Sequence, residues 1–155
     1  MINSILFVCS GNTCRSPMAQ AMAEAMFREA DSGLEAIKVM SAGVAAMDGQ
    51  PASANAIEVM REMGMDISRH RSRELNAELV AQADLILTMT LQHKRHVLMM
   101  FPESYDKVFT LKEYADCGSS DIPDPFGGSL EDYKESADEI RQALSRLVEK
   151  LKRGQ

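Results

Sequence analysis

No run of basic residues and no long apolar run interrupts this 155-residue sequence, and it holds only three cysteines. Each scarcity excludes something. On a background of net charge -6, the lack of a basic block or stripe excludes nucleic acid as the main partner. A membrane-spanning helix needs about 18 consecutive apolar residues. None occurs, so no membrane is expected as a partner. The stretch Met1–Cys9 is too short and too uncharged for a secretory signal. An odd number of cysteines without framework spacing points to a reducing compartment, and the cytoplasm is the expected location. No repeat, low-complexity tract or linker divides the chain, so residues 1–155 are expected to form one domain and to act as a monomer. With 45% apolar and 26% charged residues, it can bury a core without disulfides. No metal constellation stands out, and no cofactor is expected. His93 and His96 sit on a helix without an acidic or cysteine partner and are read as surface residues. Met60, Met63, Met65, Met99 and Met100 are read as core filling.

What is present alternates strands with helices. Ser4–Val8 is a short apolar run that reads as a strand buried on both faces. Ser16 then serves as a candidate N-cap, with Pro17 in the first turn of a helix running to about Ala30. Ile37–Ser41 is a second strand, closed by Ala42-Gly43. A helix from about Ala52 carries Ala56, Ile57, Met60 and Met63 on one face and stops at Gly64. A short helix over Ala77–Ala83 leads to a third strand, Asp84–Thr88. A helix over Leu91–Phe101 ends before Pro102, and Lys107–Leu111 is a fourth strand. Tyr114–Ser129 is rich in Gly, Ser, Asp and Pro and reads as a long loop of the kind that often carries function. Tyr133, Ala137, Ile140, Leu144, Leu147 and Leu151 then mark the apolar stripe of a last helix. The pattern predicts an α/β fold: a three-layer sandwich with a central four-stranded parallel sheet, doubly wound like flavodoxin. Ligands of such sheets bind at the carboxyl ends of the strands, where strand order switches. The loop after the first strand lies there.

That loop reads Cys9-Ser10-Gly11-Asn12-Thr13-Cys14-Arg15-Ser16. A strand end, a loop and a helix start form an anion site, because successive backbone N–H groups turn inward and the helix dipole favours negative charge. Gly11 and Asn12 suit the left-handed conformations that curl such a loop. Arg15 offers a planar two-pronged donor to phosphate oxygens. The same positive field favours the thiolate of Cys9. A thiolate under a cradle of donors can attack phosphorus in line and form a phosphocysteine that water later cleaves. Ser16 can hydrogen-bond the sulfur and improve it as a leaving group, and Asn12 can lock the loop. An isolated cysteine would read as a buried strand-end thiol. Here an arginine after five intervening residues, a serine after it and an immediate helix argue for catalysis. The reaction also needs a proton donor for the leaving group. Asp124-Pro125 in the long loop is the candidate, since proline stiffens the chain there and a nearby phosphate dianion favours the protonated acid. Asp121 is the fallback.

The Cys9–Pro17 segment, Ser41-Ala42-Gly43, Ile67–Arg71, Asp84 with its strand, and Asp124-Pro125 together resemble the low-molecular-weight protein tyrosine phosphatases over essentially the whole chain. The resemblance implies that Cys9 is the nucleophile, Arg15 the phosphate ligand and Asp124 the general acid. It implies that Ser10, Gly11, Asn12, Thr13, Cys14, Ser16 and Phe126 contact substrate or phosphate, with Ser41 and His70 in support. It also implies that Cys14 pairs reversibly with Cys9 on oxidation, though simple packing is the other reading of Cys14. Phosphotyrosine-specific members usually carry a larger aliphatic residue in place of Thr13 and an aromatic pair or tryptophan near Phe126. Thr13, Asp124-Pro125-Phe126-Gly127-Gly128 and Phe109–Tyr114 resemble instead the bacterial protein-arginine phosphatase branch. A phosphoguanidinium is flat and polar, and a threonine hydroxyl can face it where isoleucine would leave it unpaired. Phosphoarginine on proteins is therefore the expected substrate, with phosphotyrosine the alternative.

Three other readings compete. An arsenate reductase of this fold needs two further cysteines on a mobile segment, and only Cys117 lies outside the loop. A phosphocysteine carrier has no need of Arg15 or a paired acid. A binding module for phosphorylated residues has no need of Cys9.

Overall fold

The computed structural model describes residues 1–118 and 121–154. Four strands, β1 (Ser4–Cys9), β2 (Lys38–Gly43), β3 (Leu85–Thr88) and β4 (Val108–Thr110), form one parallel sheet in the order β2-β1-β3-β4. The helices are α1 (Arg15–Phe27), α2 (Ala54–Glu62), α3 (Ala77–Gln82), α4 (Leu91–Met100), α5 (Leu111–Tyr114) and α6 (Leu130–Gly154). This is the predicted four-stranded α/β sandwich.

Strand β1 lies at the centre and is buried throughout. Its side chains alternate between two apolar clusters, as a period of two requires. Ile5, Phe7 and Cys9 join the cluster built with α1, α2 and α6, while Leu6 and Val8 join the smaller one built with α3 and α4. The stripe Tyr133, Ala137, Ile140, Leu144, Leu147 and Leu151 is buried in the larger cluster, where α6 packs along α1. Each fully buried leucine or isoleucine of that stripe contributes about 1.5–3 kcal/mol of transfer free energy.

The chain leaves β1 toward β2 on one side and returns to β3 on the other. The strand order therefore switches at the carboxyl end of β1, which opens a crevice there.

Some boundaries differ from the sequence expectation, with physical reasons. Helix α1 starts at Arg15, its N-cap is Cys14 rather than Ser16, and the Ser16 hydroxyl turns to the Cys9 sulfur instead of capping. Leu111 belongs to α5, not to β4. Thr110 and Glu113 form a capping box that ends the strand and starts a short helix reaching Tyr114. The remaining predicted loop, beyond Tyr114, carries no helix or strand before Leu130 among the described residues; its Ser119 and Ser120 lie outside them. Core filling holds for Met60, whereas Met63, Met99 and Met100 are exposed.

Candidate active site

The loop from Ser10 to Cys14 emerges where β1 ends, and α1 begins on the next residue. Its curl depends on Asn12, at φ 56°, a left-handed conformation that asparagine tolerates better than most residues. The Asn12 side chain is fully buried, and all its polar groups are used. Its Oδ1 accepts from the Arg73 backbone N–H at 2.9 Å, which fixes the orientation of the amide. Its Nδ2 therefore donates, to Ser16 Oγ at 2.8 Å and to Ser41 Oγ at 3.0 Å.

This orientation sets the direction of a longer chain. The Ser41 hydroxyl donates to Gln20 Oε1 at 2.6 Å, and Gln20 Nε2 donates to the Val39 carbonyl at 3.4 Å. Ser16 Oγ already accepts from Asn12, so its O–H is left to donate. The atom in reach is Cys9 Sγ, 2.9 Å away. The Ser16 hydrogen bond thus points at the sulfur. His70 closes the loop from outside, with Nε2 at 2.7 Å from the Asn12 carbonyl. Burial, more than any neighbour, holds the His70 ring below its ordinary protonation range, although the Asn12 contact works the other way. The ring is thus neutral at pH 7 and donates Nε2–H to that carbonyl.

Strand β2 braces the same loop. Past its end, Val44 N–H donates to the Cys9 carbonyl and Ala45 N–H to the Ser10 carbonyl, at 3.0 and 2.9 Å. A Cβ on Gly43 would collide with the Ser10 carbonyl and come within 2.9 Å of Asn12 N. Only glycine lets the two backbones approach so closely.

Cys9 and Arg15 are buried to within a few per cent, and Arg15 turns its guanidinium toward the long loop. It donates to the Ile122 carbonyl at 3.0 Å and lies 3.5 Å from the Asp124 carboxylate. Asp124 is 59% exposed, and its Oδ1 accepts from Phe126 N–H in a local turn. A cavity of about 260 Å³ opens between these groups. It is lined by Cys9, Ser10, Gly11, Thr13, Cys14 and Arg15 from the loop and the start of α1, and by Ala45, Asp124 and Phe126. Phe126 stands out at the rim, 75% exposed.

The structure thus gathers Cys9, Arg15, Asp124, the loop residues and Phe126 at one cavity, with Asn12, Ser16, Ser41 and His70 behind it. Asp121 is different. Its Oδ1 accepts from Leu91 N–H at the start of α4, and it does not line the cavity, so the fallback acid is occupied elsewhere. Asp84 accepts from the Asn3 and Ser4 N–H groups at the far end of β1, a structural task.

The reading of His93 as a surface residue is corrected. It is only 6% exposed, and its Nε2 lies 2.8 Å from Ser10 Oγ. Burial first, then the Arg15 charge, pushes its pKa down to about 4. His96 is half-buried. Gln20, Ala45, Ser53, Arg73, His93 and Tyr133 are contributors the sequence did not reveal. Ser53 and Tyr133 surround Cys14: its thiol donates to Ser53 Oγ at 3.5 Å and lies 3.3 Å from the Tyr133 hydroxyl. Cys9 and Cys14 are both free thiols. Gly43 was the available signal for the brace, since a glycine closing a buried strand marks a close backbone approach. His93 offered no local signal, because its partner is 83 residues away.

Comparison with known proteins gives a consistent picture. Residues 4–155 match the family described as low molecular weight phosphotyrosine protein phosphatase. A protein-arginine-phosphatase of Geobacillus stearothermophilus is 45% identical over 147 residues, covering 95% of each chain. A YwlE arginine phosphatase structure, of a variant with a phosphorylated active-site serine, superposes with a TM-score of 0.91 at 42% identity, covering 98% of this chain and 97% of that one. The tyrosine phosphatase Wzb from Escherichia coli K30, in complex with sulphate, superposes with a TM-score of 0.87 at 32% identity, covering 97% and 99%.

Proposed function

The chain belongs to the low molecular weight phosphotyrosine protein phosphatase family, and on that premise we propose that it removes phosphate from phosphoarginine on proteins through a phosphocysteine intermediate. Cys9 is the nucleophile. Its sulfur attacks phosphorus, a P–S bond forms, and the P–N bond to the guanidinium breaks on the opposite side. Loop N–H groups and Arg15 hold the charge that builds on the equatorial oxygens. To do so, Arg15 shifts its guanidinium from the Ile122 carbonyl and Asp124 to the phosphoryl oxygens, whose charge makes them strong acceptors.

Asp124 protonates the departing nitrogen. Water then attacks the phosphocysteine, Asp124 takes its proton back, and the Ser16 O–H stabilises the leaving Cys9 thiolate. Asn12, Ser41 and His70 keep the loop in shape and do not touch the reacting atoms.

The observation that carries the choice of phosphoarginine is Thr13. It lines the cavity beside Cys9, and among the described residues its hydroxyl has only the weak contact with Cys14 Sγ at 3.8 Å. A polar atom so placed is available to a guanidinium and has nothing to offer a phenol ring. The likeness to named arginine phosphatases supports the same choice. Phosphotyrosine is the second reading, favoured by Phe126, whose exposed ring could stack on a phenol.

Steady-state rates on phosphoarginine, phosphotyrosine and phosphoserine peptides, for the parent and Thr13→Ile, decide between them. We expect phosphoarginine to be preferred and the preference to move toward phosphotyrosine in the variant. A parent that favours phosphotyrosine, or a variant with unchanged preference, defeats the assignment.

The same proposal takes residues 1–155 as one phosphatase domain acting as a cytoplasmic monomer on phosphorylated proteins, without nucleic acid, membrane or metal. Among the described residues no helix is long and apolar enough to cross a membrane, and no cluster of three metal-ligating side chains occurs. It includes a reversible Cys9–Cys14 disulfide, which mild peroxide followed by reductant would reveal as lost and regained activity.

A further inference from the structure

The side chains of Ser10 and His93 have no part in the chemistry above, yet they form a contact too particular to be incidental. Ser10 follows the nucleophile, is exposed, and lines the mouth of the cavity. The imidazole that holds it is fixed from two sides. The backbone N–H of His93 donates to Thr90 Oγ1 at 3.1 Å, which caps α4, and the ring itself is buried. Its Nε2 reaches Ser10 Oγ at 2.8 Å, while its Nδ1 is enclosed and has no partner among the described residues. Burying an imidazole with one nitrogen unmatched costs stability, and an apolar side chain would avoid that cost. Such a group calls for a task.

We propose that His93 is a positioning residue that holds the Ser10 hydroxyl as a hydrogen-bond acceptor for the leaving-group side of the substrate, so that the pair selects a phosphorylated guanidinium over a phosphorylated phenol. The inference rests on the phosphoarginine reading and names a specificity element within it. A hydroxyl has one proton and two lone pairs. If Ser10 donates its proton to Nε2, both lone pairs remain free. If Nε2–H donates to Ser10, one lone pair remains. In either tautomer an acceptor is left over.

The phosphoryl group must lie over Cys9, at the buried floor, so the group that carries it lies toward the exposed residues Ser10 and Phe126. A guanidinium arriving there brings N–H donors that lose water and need acceptors. Asp124, carrying the proton it delivers to the leaving nitrogen, offers one carboxyl oxygen as an acceptor, and Ser10 offers a second acceptor. A phenol ring brings no donor and gains nothing from Ser10. The burial of His93 matters because a free serine hydroxyl rotates among its wells, whereas a tethered one is already aimed.

The test measures kcat and KM on a phosphoarginine peptide and a phosphotyrosine peptide of the same sequence. The proteins are the full chain, Ser10→Ala, Ser10→Thr, His93→Phe and the Ser10→Ala/His93→Phe double variant. The quantity read is the ratio of kcat/KM for the two peptides. We expect Ser10→Ala to lower it about tenfold. His93→Phe should lower it by a comparable factor, the double variant should fall no further than Ser10→Ala, and Ser10→Thr should keep most of the preference.

An unchanged ratio in Ser10→Ala overturns the proposal. So do single-variant losses that multiply in full in the double variant, since the two residues would then act separately. If His93→Phe does not fold, the imidazole nitrogen resonances of the parent protein replace it. Ser10→Ala must then move the His93 Nε2 signal, and an unmoved signal overturns the pairing. The parent's own ratio tests the phosphoarginine reading, while the change on substitution tests the pair, so either can fail without the other.

Discussion

The two halves of the cavity are built on opposite principles. On the nucleophile side, Cys9, Asn12, Arg15 and Ser16 are buried, and Asn12 and Ser16 are locked through a directed chain that runs back to Gln20. On the acid side, Asp124 and Phe126 are exposed, and the segment is tied down at spaced points. Ile122 N–H donates to the Met89 carbonyl, the Ile122 carbonyl accepts from Arg15, and the Pro123 carbonyl accepts from Ser136. The difference follows from what each half handles. The phosphoryl group is the same in every substrate, so a rigid cradle loses nothing by rigidity. The group that leaves arrives attached to a whole protein, and an exposed rim leaves room for it.

The comparison can be broken at either half. The largest effect belongs to the nucleophile: Cys9→Ser should lower kcat by roughly 10⁴-fold or more, while the cradle still binds inorganic phosphate in a calorimeter. Retained turnover would remove the cysteine mechanism altogether. On the other side, Asp124→Asn should lower kcat by about 10²–10³-fold on substrates with poor leaving groups, and far less on an activated aryl phosphate that departs unaided. Equal losses on both would mean that the acid segment serves the phosphoryl group, and the contrast between halves would vanish.

Smaller effects sharpen the contrast. Asn12→Ala leaves several buried groups unpaired and places alanine at a left-handed φ, for an expected loss of about 2–3 kcal/mol in a denaturant titration. A loss below about half a kcal/mol would show that the cradle is not the rigid half.

The pH dependence of stability should carry the mark of His93. Its pKa is near 6.5 unfolded and about 4 folded, so between those values the unfolded chain binds more protons. Stability from this group is therefore fully present above about pH 6.5, falls as pH drops, and levels off below about pH 4. The expected contribution is on the order of 2–3 kcal/mol, read from melts across that window. Replacement by phenylalanine should flatten that part of the profile, and an identical slope would mean the ring titrates normally. Least of all, Ser136→Ala removes one tether of the acid segment and should cost about 1 kcal/mol or less, with kcat changed within about twofold.

Much of this arrangement is legible in the sequence. The apolar runs at Ser4–Val8 and Leu85–Leu87 announced strands because both faces of a central parallel strand must be covered, and the α6 stripe announced its helix by its spacing. Other elements could not be read so well. Helix α5 has four residues, too few for a periodic pattern, and its capping box begins inside what reads as a strand ending at Leu111. Ser16 looked like a cap because serine before proline usually is one; here the hydroxyl is diverted to sulfur, a competition that local sequence cannot weigh. His93 was misread because burial of a histidine depends on what packs over it, and α4 alone shows only a mixed surface.

Family membership, the reaction class and the parallel architecture were therefore legible, since each rests on short motifs or runs that can be read one at a time along the chain. Cys9 and Arg15 share one loop, and the strand–loop–helix order around them is local. What tertiary structure decided is everything that orients that loop. Ser41 reaches Asn12 across 29 residues, Arg73 across 61, His93 reaches Ser10 across 83, and Arg15 meets the Ile122 carbonyl across 107. A hydrogen bond needs its partners within about 3 Å and in line. Spacing along a chain cannot specify that between distant segments; only the packed sheet and its helices bring them to it.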